Sequence, residues 1–123
     1  MDLTIDKSLE IVNNYRPRSR FQLFPSHAPR SCKKAIILHK IDISKIILEE
    51  LKEELILANN CVNTINHHLV TTVILDEFES LKFGLTSGNN MITSLNQNIL
   101  DLENYIKYLE TEGLKNHDRD FSF

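Results

Sequence analysis

The sequence contains no tryptophan, and aromatic residues account for only 7% of its 123 positions. Aromatic side chains bring the largest buried areas to a compact core, so their scarcity favours long helices that share narrow apolar seams. Apolar residues as a whole still reach 41%, which is enough for a core if the helices find a surface to pack against. The chain is therefore predicted to be one domain built from long helices.

Cysteine is also rare, with only Cys32 and Cys61, and the charged opening of the chain does not resemble a secretory signal. A reducing compartment, the cytoplasm or the nucleus, is the expected location. Charge is missing from residues 55–75, a stretch long enough to span a bilayer. Its four Asn, two His and three Thr would leave polar groups unsatisfied in hydrocarbon, so no transmembrane helix is expected.

Proline and glycine are few, and their positions divide the chain. All three prolines precede residue 30, and the three glycines are Gly84, Gly88 and Gly113. Because these residues interrupt regular backbone most strongly, the intervals between them are the predicted helices. The predicted division is a basic arm at 1–34 with a possible short amphipathic helix, a long amphipathic helix at 35–83, a break or hinge at 84–90, a coiled-coil helix at 91–112 and a polar tail at 113–123.

The N-terminal arm begins with a segment, residues 2–15, that can form a short amphipathic helix. Thr4 is its possible N-cap, and Ile5, Leu9 and Val12 would share one face. The rest of the arm is predicted to be irregular and mostly disordered.

Positive charge is concentrated in this arm. Residues 1–40 hold eight Lys or Arg against three acids, whereas residues 41–123 hold six against fourteen. The arm is therefore a candidate for contact with nucleic-acid phosphates, anionic lipid or an acidic protein surface. The residues expected to make these contacts are Arg16, Arg18, Arg20, Arg30, Lys33 and Lys34.

A stripe of apolar residues predicts the long central helix. Apolar side chains recur at intervals of three and four positions, which places them on one helix face. Residues 35–43, just before this stripe, fit a strand as well as a helix. The stripe is predicted to bind a partner helix through Leu48, Leu51, Leu55, Val62, Ile65 and Leu69.

Gly84 followed by Leu85 is typical of a helix C-terminal cap, and residues 86–90 are poor helix formers. A break at 84–90 is therefore predicted, which would make the fold a helical hairpin. The apolar spacing nevertheless continues through this segment, so a coiled-coil rod bent at the glycines is the alternative.

The C-terminal helix carries three heptads with isoleucine at each a position and leucine at each d position, a pattern typical of a parallel two-stranded coiled coil. Glu103 and Glu110 occupy e positions that find no opposite charge in a homodimer. A different helix with Lys or Arg at its g positions is therefore the predicted partner. The seam consists of Ile92, Leu95, Ile99, Leu102, Ile106 and Leu109.

Neutral polar residues form a broad arc on the central helix, opposite its apolar stripe. This arc has two interpretations: a solvated face that lacks charge, or a second, partly buried seam where amide hydrogen bonds fix the register. Its members are Asn59, Asn60, Asn63, Asn66, His67 and Thr71.

No group of residues in the sequence forms a chemical site. His67 and His68 are adjacent and point roughly 100° apart on a helix, and Cys61 lies two turns from His68. A phosphate-binding glycine loop and a cluster of Ser, His and acid are both missing. We therefore expect no metal, no cofactor and no small-molecule substrate. An enzymatic role would need a site completed by a partner.

Together these patterns predict an all-α protein with a long central helix, a shorter C-terminal helix and a basic arm. Apolar stripes on two helices of unequal length leave a seam facing water, so a helical partner is expected. The expected function is that of a non-enzymatic coiled-coil subunit of a hetero-oligomeric assembly. By architecture alone, such subunits occur in organelle-trafficking adaptor complexes and in kinetochore complexes. The alternative is an adaptor that binds nucleic acid or anionic membrane through its arm, with the helices only dimerising it.

Overall fold

The computed structural model describes residues 3–24 and 33–113, and within them all regular structure is helical. The all-α prediction is confirmed, and residues 35–43, which also fit a strand, belong to the central helix. The polar tail beyond residue 113 lies outside the described residues. The elements are α1 (Ile5–Asn14), α2 (Arg20–Leu23), α3 (Lys33–Thr71), α4 (Leu75–Tyr108) and a π-helical turn (Leu109–Gly113).

Helix α1 begins as the sequence predicts. The hydroxyl of Thr4 accepts a hydrogen bond from the backbone N–H of Lys7 at 3.2 Å, which satisfies one of the free donors of the first turn. The helix ends at Asn14, and Arg16 then precedes Pro17, a position that disfavours helical backbone.

Helix α2 is a single turn within the segment that the sequence predicts to be irregular. Its N-cap is Ser19, whose hydroxyl accepts from the backbone N–H of Gln22 at 3.3 Å. The Gln22 side chain accepts in return from the Ser19 N–H at 2.7 Å, which completes a capping box. Leu23 is buried, so this turn is anchored by packing as well as by its cap.

The two long helices are separated at residues 72–74, and the predicted break at 84–90 is wrong. Four β-branched residues in succession, at positions 71–74, have restricted side chains that fit a helix poorly. The Thr71 hydroxyl also turns back to the carbonyl of His68 at 3.1 Å. The predicted helix at 35–83 therefore ends at Thr71, and the helix predicted at 91–112 already begins at Leu75.

Gly84 and Gly88 lie inside α4, and both are buried. A methyl group built on Gly88 would lie 2.6 Å from a methyl carbon of Val62 and 3.4 Å from one of Val12. A methyl group on Gly84 would overlap the side chain of Leu9. The glycines therefore act as points of close helix approach and do not end the helix.

The described residues divide into two compact units. The first comprises those within Met1–Pro17 and Lys52–Asn96, and it contains α1, the C-terminal part of α3 and the N-terminal part of α4. Ile65 lies beside the Gly84 site and Val62 beside Gly88, so α3 and α4 run antiparallel in this unit, as in a helical hairpin. Its core contains Val12, Ala58, Cys61, Ile65, Leu81, Met91 and Leu95.

The second unit comprises the described residues within Arg18–Leu51 and Gln97–Phe123. The ring of Phe24 packs edge-on against Tyr105 with 5.0 Å between ring centres. An ion pair joins Lys45 of α3 to Glu110 of the π-helical turn at 3.6 Å. Its core contains Leu23, Ile41, Ile47, Leu51, Leu102, Ile106 and Leu109.

Candidate interaction surface

The apolar stripe of α3 packs partly or completely within the chain. Leu51 and Ile65 are completely buried, and the other four predicted contact residues, Leu48, Leu55, Val62 and Leu69, are partly buried. The chain reverses direction at residues 72–74, so α4 runs back along α3 in the first unit. Val62 and Ile65 there face the glycines of α4. The chain's own helices therefore bury Leu51 and Ile65 and cover part of the rest of this stripe, and its role as a partner seam stays a prediction.

The heptad face of α4 is also used within the chain. Leu95, Leu102, Ile106 and Leu109 are buried, whereas Ile92 and Ile99 are only partly covered. Met91 directly precedes Ile92, an a residue, and therefore occupies a g position of the heptad; its side chain is nearly inaccessible. The buried face is thus centred on the leucines and shifted towards the g side, which differs from the a/d seam of a parallel coiled coil.

The two glutamates expected to select a partner behave differently from each other. Glu110 pairs with Lys45 of its own chain, so the positive charge that the sequence assigned to a partner is supplied internally. Glu103 is exposed on α4. A surface pair such as Lys45 with Glu110 contributes up to about 1 kcal/mol and does not determine the fold.

The cations of the basic arm have several different environments. Arg18 donates to a carboxylate oxygen of Glu50 at 3.1 Å, which ties the arm to α3 in the second unit. Arg16, Arg20 and Lys34 are exposed. Arg30 and the side chain of Lys33 lie outside the described residues.

The strongest surface feature is an exposed face without charge on the C-terminal part of α3 and the connection to α4. All six neutral polar residues of the predicted arc are exposed there. Sequence reasoning missed the apolar side chains among them, which include Ile56 at 62% exposure, Val70 at 75%, Val73 at 97% and Leu75 at 70%. We call this set the neutral face: Ile56, Asn59, Asn60, Asn63, Asn66, His67, Val70, Thr71, Val73, Ile74 and Leu75.

A groove adjoins the neutral face where α1, the end of α3 and the start of α4 meet in the first unit. Its cavity volume is about 510 Å³. Apolar side chains from α1, α4 and the connection line it, α3 contributes His68 and Thr71, and two carboxylates, Asp6 and Glu77, complete the lining. The Thr72 hydroxyl donates to Glu77 at 3.2 Å. The lining residues are Ile5, Asp6, Leu9, His68, Thr71, Thr72, Val73, Ile74, Glu77, Ser80 and Leu81.

Cys61 has a free thiol that is completely buried between helices of the first unit. Burial raises its pKa above the ordinary value of 9.0, and the neighbouring Ser8 hydroxyl opposes part of this rise. The Ser8 hydroxyl is itself buried, and its oxygen has no well-formed hydrogen bond among the described residues. A buried thiol with a raised pKa is a poor nucleophile, so its role here is packing.

Within residues 3–24 and 33–113, no group of three or more His, Cys, Asp or Glu is arranged to hold a metal ion. None of the described helices combines the length and the apolar character needed to cross a bilayer. Comparison with protein-family models, curated protein sequences and solved structures finds no match.

Proposed function

We propose that this chain is a non-enzymatic helical subunit of a hetero-oligomeric protein assembly, and that it docks on another helical protein through the neutral face. The observation that carries the proposal is the exposure of Ile56, Val70, Val73 and Leu75 within a stretch that has no charged residue. Exposed apolar side chains among uncharged polar ones, with no Lys, Arg, Asp or Glu between them, suit a surface that another protein covers.

The polar residues of the neutral face also suit an interface. Charged side chains are depleted at the centre of protein interfaces because their desolvation is costly. Asparagine can instead donate and accept hydrogen bonds once water is excluded. Asn59 already donates to the carbonyl of Leu55 at 3.1 Å, and its side-chain oxygen remains available as an acceptor for a partner. The proposed partner surface is therefore helical, apolar and weakly charged.

The experiment introduces charge into the neutral face and compares it with a matched site on the same helix. Ile56→Lys combined with Val70→Lys should abolish co-purification of the partner identified with the unmodified chain. Ile46→Lys is the control, since Ile46 is 61% exposed on α3 but lies beside charged Lys45 and Glu49. Co-purification that survives the double substitution would contradict the proposal.

Whether the assembly is heteromeric needs a separate measurement. The chain alone should sediment as a monomer at about 10 μM, a concentration well above the dissociation constants of stable subunits. A dimer that Ile56→Lys disrupts would show that the neutral face pairs with a second copy of the chain.

A second candidate function is supported by the exposure of Arg16 and Arg20. In this role the arm would contact nucleic-acid phosphates or anionic lipid, with affinity that falls as salt rises. Replacing both arginines by serine should reduce binding to DNA or to anionic vesicles at low salt. Arg18 should be left unchanged in this test, because it pairs with Glu50 and its loss would disturb packing.

A further inference from the structure

We infer that the groove beside residues 72–74 binds a basic amphipathic helix of a partner protein. This inference rests on the proposed function, since it assigns a second contact, of defined charge, next to the neutral face. Val73 and Ile74 line the groove and also belong to that face. A partner that covers one of these surfaces therefore reaches the other.

The groove offers an apolar lining to such a helix. Ile5 and Leu9 come from α1, Leu81 comes from α4, and Val73 and Ile74 come from the connection. The cavity of about 510 Å³ falls in the size range of sites that enclose ligand groups. One or two large apolar side chains of a docked helix would be buried there, as in other complexes where a helix binds in a groove.

The charge of the groove determines the chemistry of its occupant. Asp6 and Glu77 line it, and no Lys or Arg does. Within the described residues, neither carboxylate has an ion-pair partner. The Thr72 hydroxyl bonds to one oxygen of Glu77 and brings no positive charge. Lysine or arginine beside the apolar anchors of an incoming helix would supply the missing charge.

Both acids also have a local structural role that the test must separate from binding. Asp6 lies in the first turn of α1 and Glu77 in the first turn of α4, where negative charge favours the helix. Asp76 shares that first turn, and Glu79 is exposed one residue past it, but neither lines the groove. This second pair therefore gives a control with the same change of net charge.

The binding experiment uses the full chain and a designed probe. The probe is a fluorescein-labelled amphipathic peptide of about 18 residues, or five helical turns, with leucine on one face and lysine on its flanks. A twin peptide carries glutamate in place of lysine. Fluorescence anisotropy at about 50 mM salt should show saturable binding of the lysine peptide and little binding of its twin.

Variants then locate the binding. Asp6→Asn with Glu77→Gln should weaken binding of the lysine peptide about fivefold, as expected for the loss of two rim ion pairs. Asp76→Asn with Glu79→Gln should change the affinity less than about twofold, because only the general charge of the protein is altered. Circular dichroism melts of both double variants establish that the helices are intact.

Three outcomes would overturn the inference: no binding of the lysine peptide, equal binding of the two peptides, or equal weakening by the two double variants. The proposed function is tested independently. If the peptide fails to bind while Ile56→Lys with Val70→Lys still abolishes co-purification, only the groove assignment falls. If the partner still co-purifies with the Ile56→Lys, Val70→Lys variant, the neutral face is not the docking surface, whether or not the peptide binds.

Discussion

At the scale of single residues, Gly88 is a position where α4 closely approaches its neighbours in the first unit. A methyl group there would meet Val62, whose β-branched side chain has one strongly preferred conformation in a helix. At Gly84 the obstructing atom is the end of the Leu9 side chain, which can rotate away. The two glycines should therefore respond differently to the same substitution.

We expect Gly88→Ala to destabilise the protein by about 1–3 kcal/mol, because the overlap outweighs the roughly 1 kcal/mol that alanine gains as a helix former. Gly84→Ala should cost less. Urea unfolding of each variant measures the difference. Adding Val62→Ala to Gly88→Ala should recover part of the loss, since it removes the obstructing methyl groups. A Gly88→Ala variant as stable as the original would contradict the close packing.

The buried thiol of Cys61 predicts a pH dependence. Its folded-state pKa is raised above 9.0, so the unfolded chain ionises first as the pH rises. The contribution of this thiol to stability is complete below pH 9.0 and is lost as the pH approaches the folded-state pKa. Urea unfolding at about pH 8 and about pH 10 should show a smaller decline in Cys61→Ala than in the original chain. Tyr105, whose pKa is also raised by burial, remains in both proteins and cancels in the comparison.

At the scale of the elements, local signals predict some boundaries and mislead at others. Thr4 and the apolar spacing after it correctly indicate α1. Gly84 and Gly88 suggested a break because glycine often ends helices, but the same missing side chain also permits close packing. Sequence alone does not distinguish the two uses. The β-branched run at 71–74 is the signal in the sequence for the true helix end.

Helix α2 is short enough that its cap should decide whether it forms. We expect Ser19→Ala to cost about 1 kcal/mol, because the backbone N–H of Gln22 loses its acceptor. Ser19→Asn should be nearly neutral, since asparagine is an equally good N-cap. Urea unfolding measures both. A loss of stability as large for asparagine as for alanine would show that the hydroxyl acts in some other way.

At the scale of the whole molecule, the sequence identifies which faces are apolar but not what covers them. Leu51, Ile65, Leu95 and Leu102 were predicted to bind a partner helix, and in the structure they are buried within the chain. Periodicity defines the direction of a helix face and carries no information about its neighbour. The neutral face was only half recognised, because Ile56 and Val70 have the same spacing as other apolar residues and only the fold shows them to be exposed.

The internal cores determine what we expect of the isolated chain. Its stripes do not need a partner to be buried, so we expect a monomer at about 10 μM that melts in a single cooperative transition. Helices α3 and α4 both contribute to the two units, which should couple their unfolding. Sedimentation and circular dichroism melting test this directly. A broad, concentration-dependent transition would instead indicate that folding depends on association.

The connection at residues 72–74 has a practical consequence. It joins two long helices through three non-helical residues, of which Val73 is almost fully exposed, so a chain cut after Val73 loses no helical turn. One fragment would carry α1 to α3 and the other α4, and side chains of α1 and α3 pack closely against α4 at Gly84 and Gly88. The protein should therefore work as a split pair, in which two separately expressed pieces recover their helical structure only when they meet.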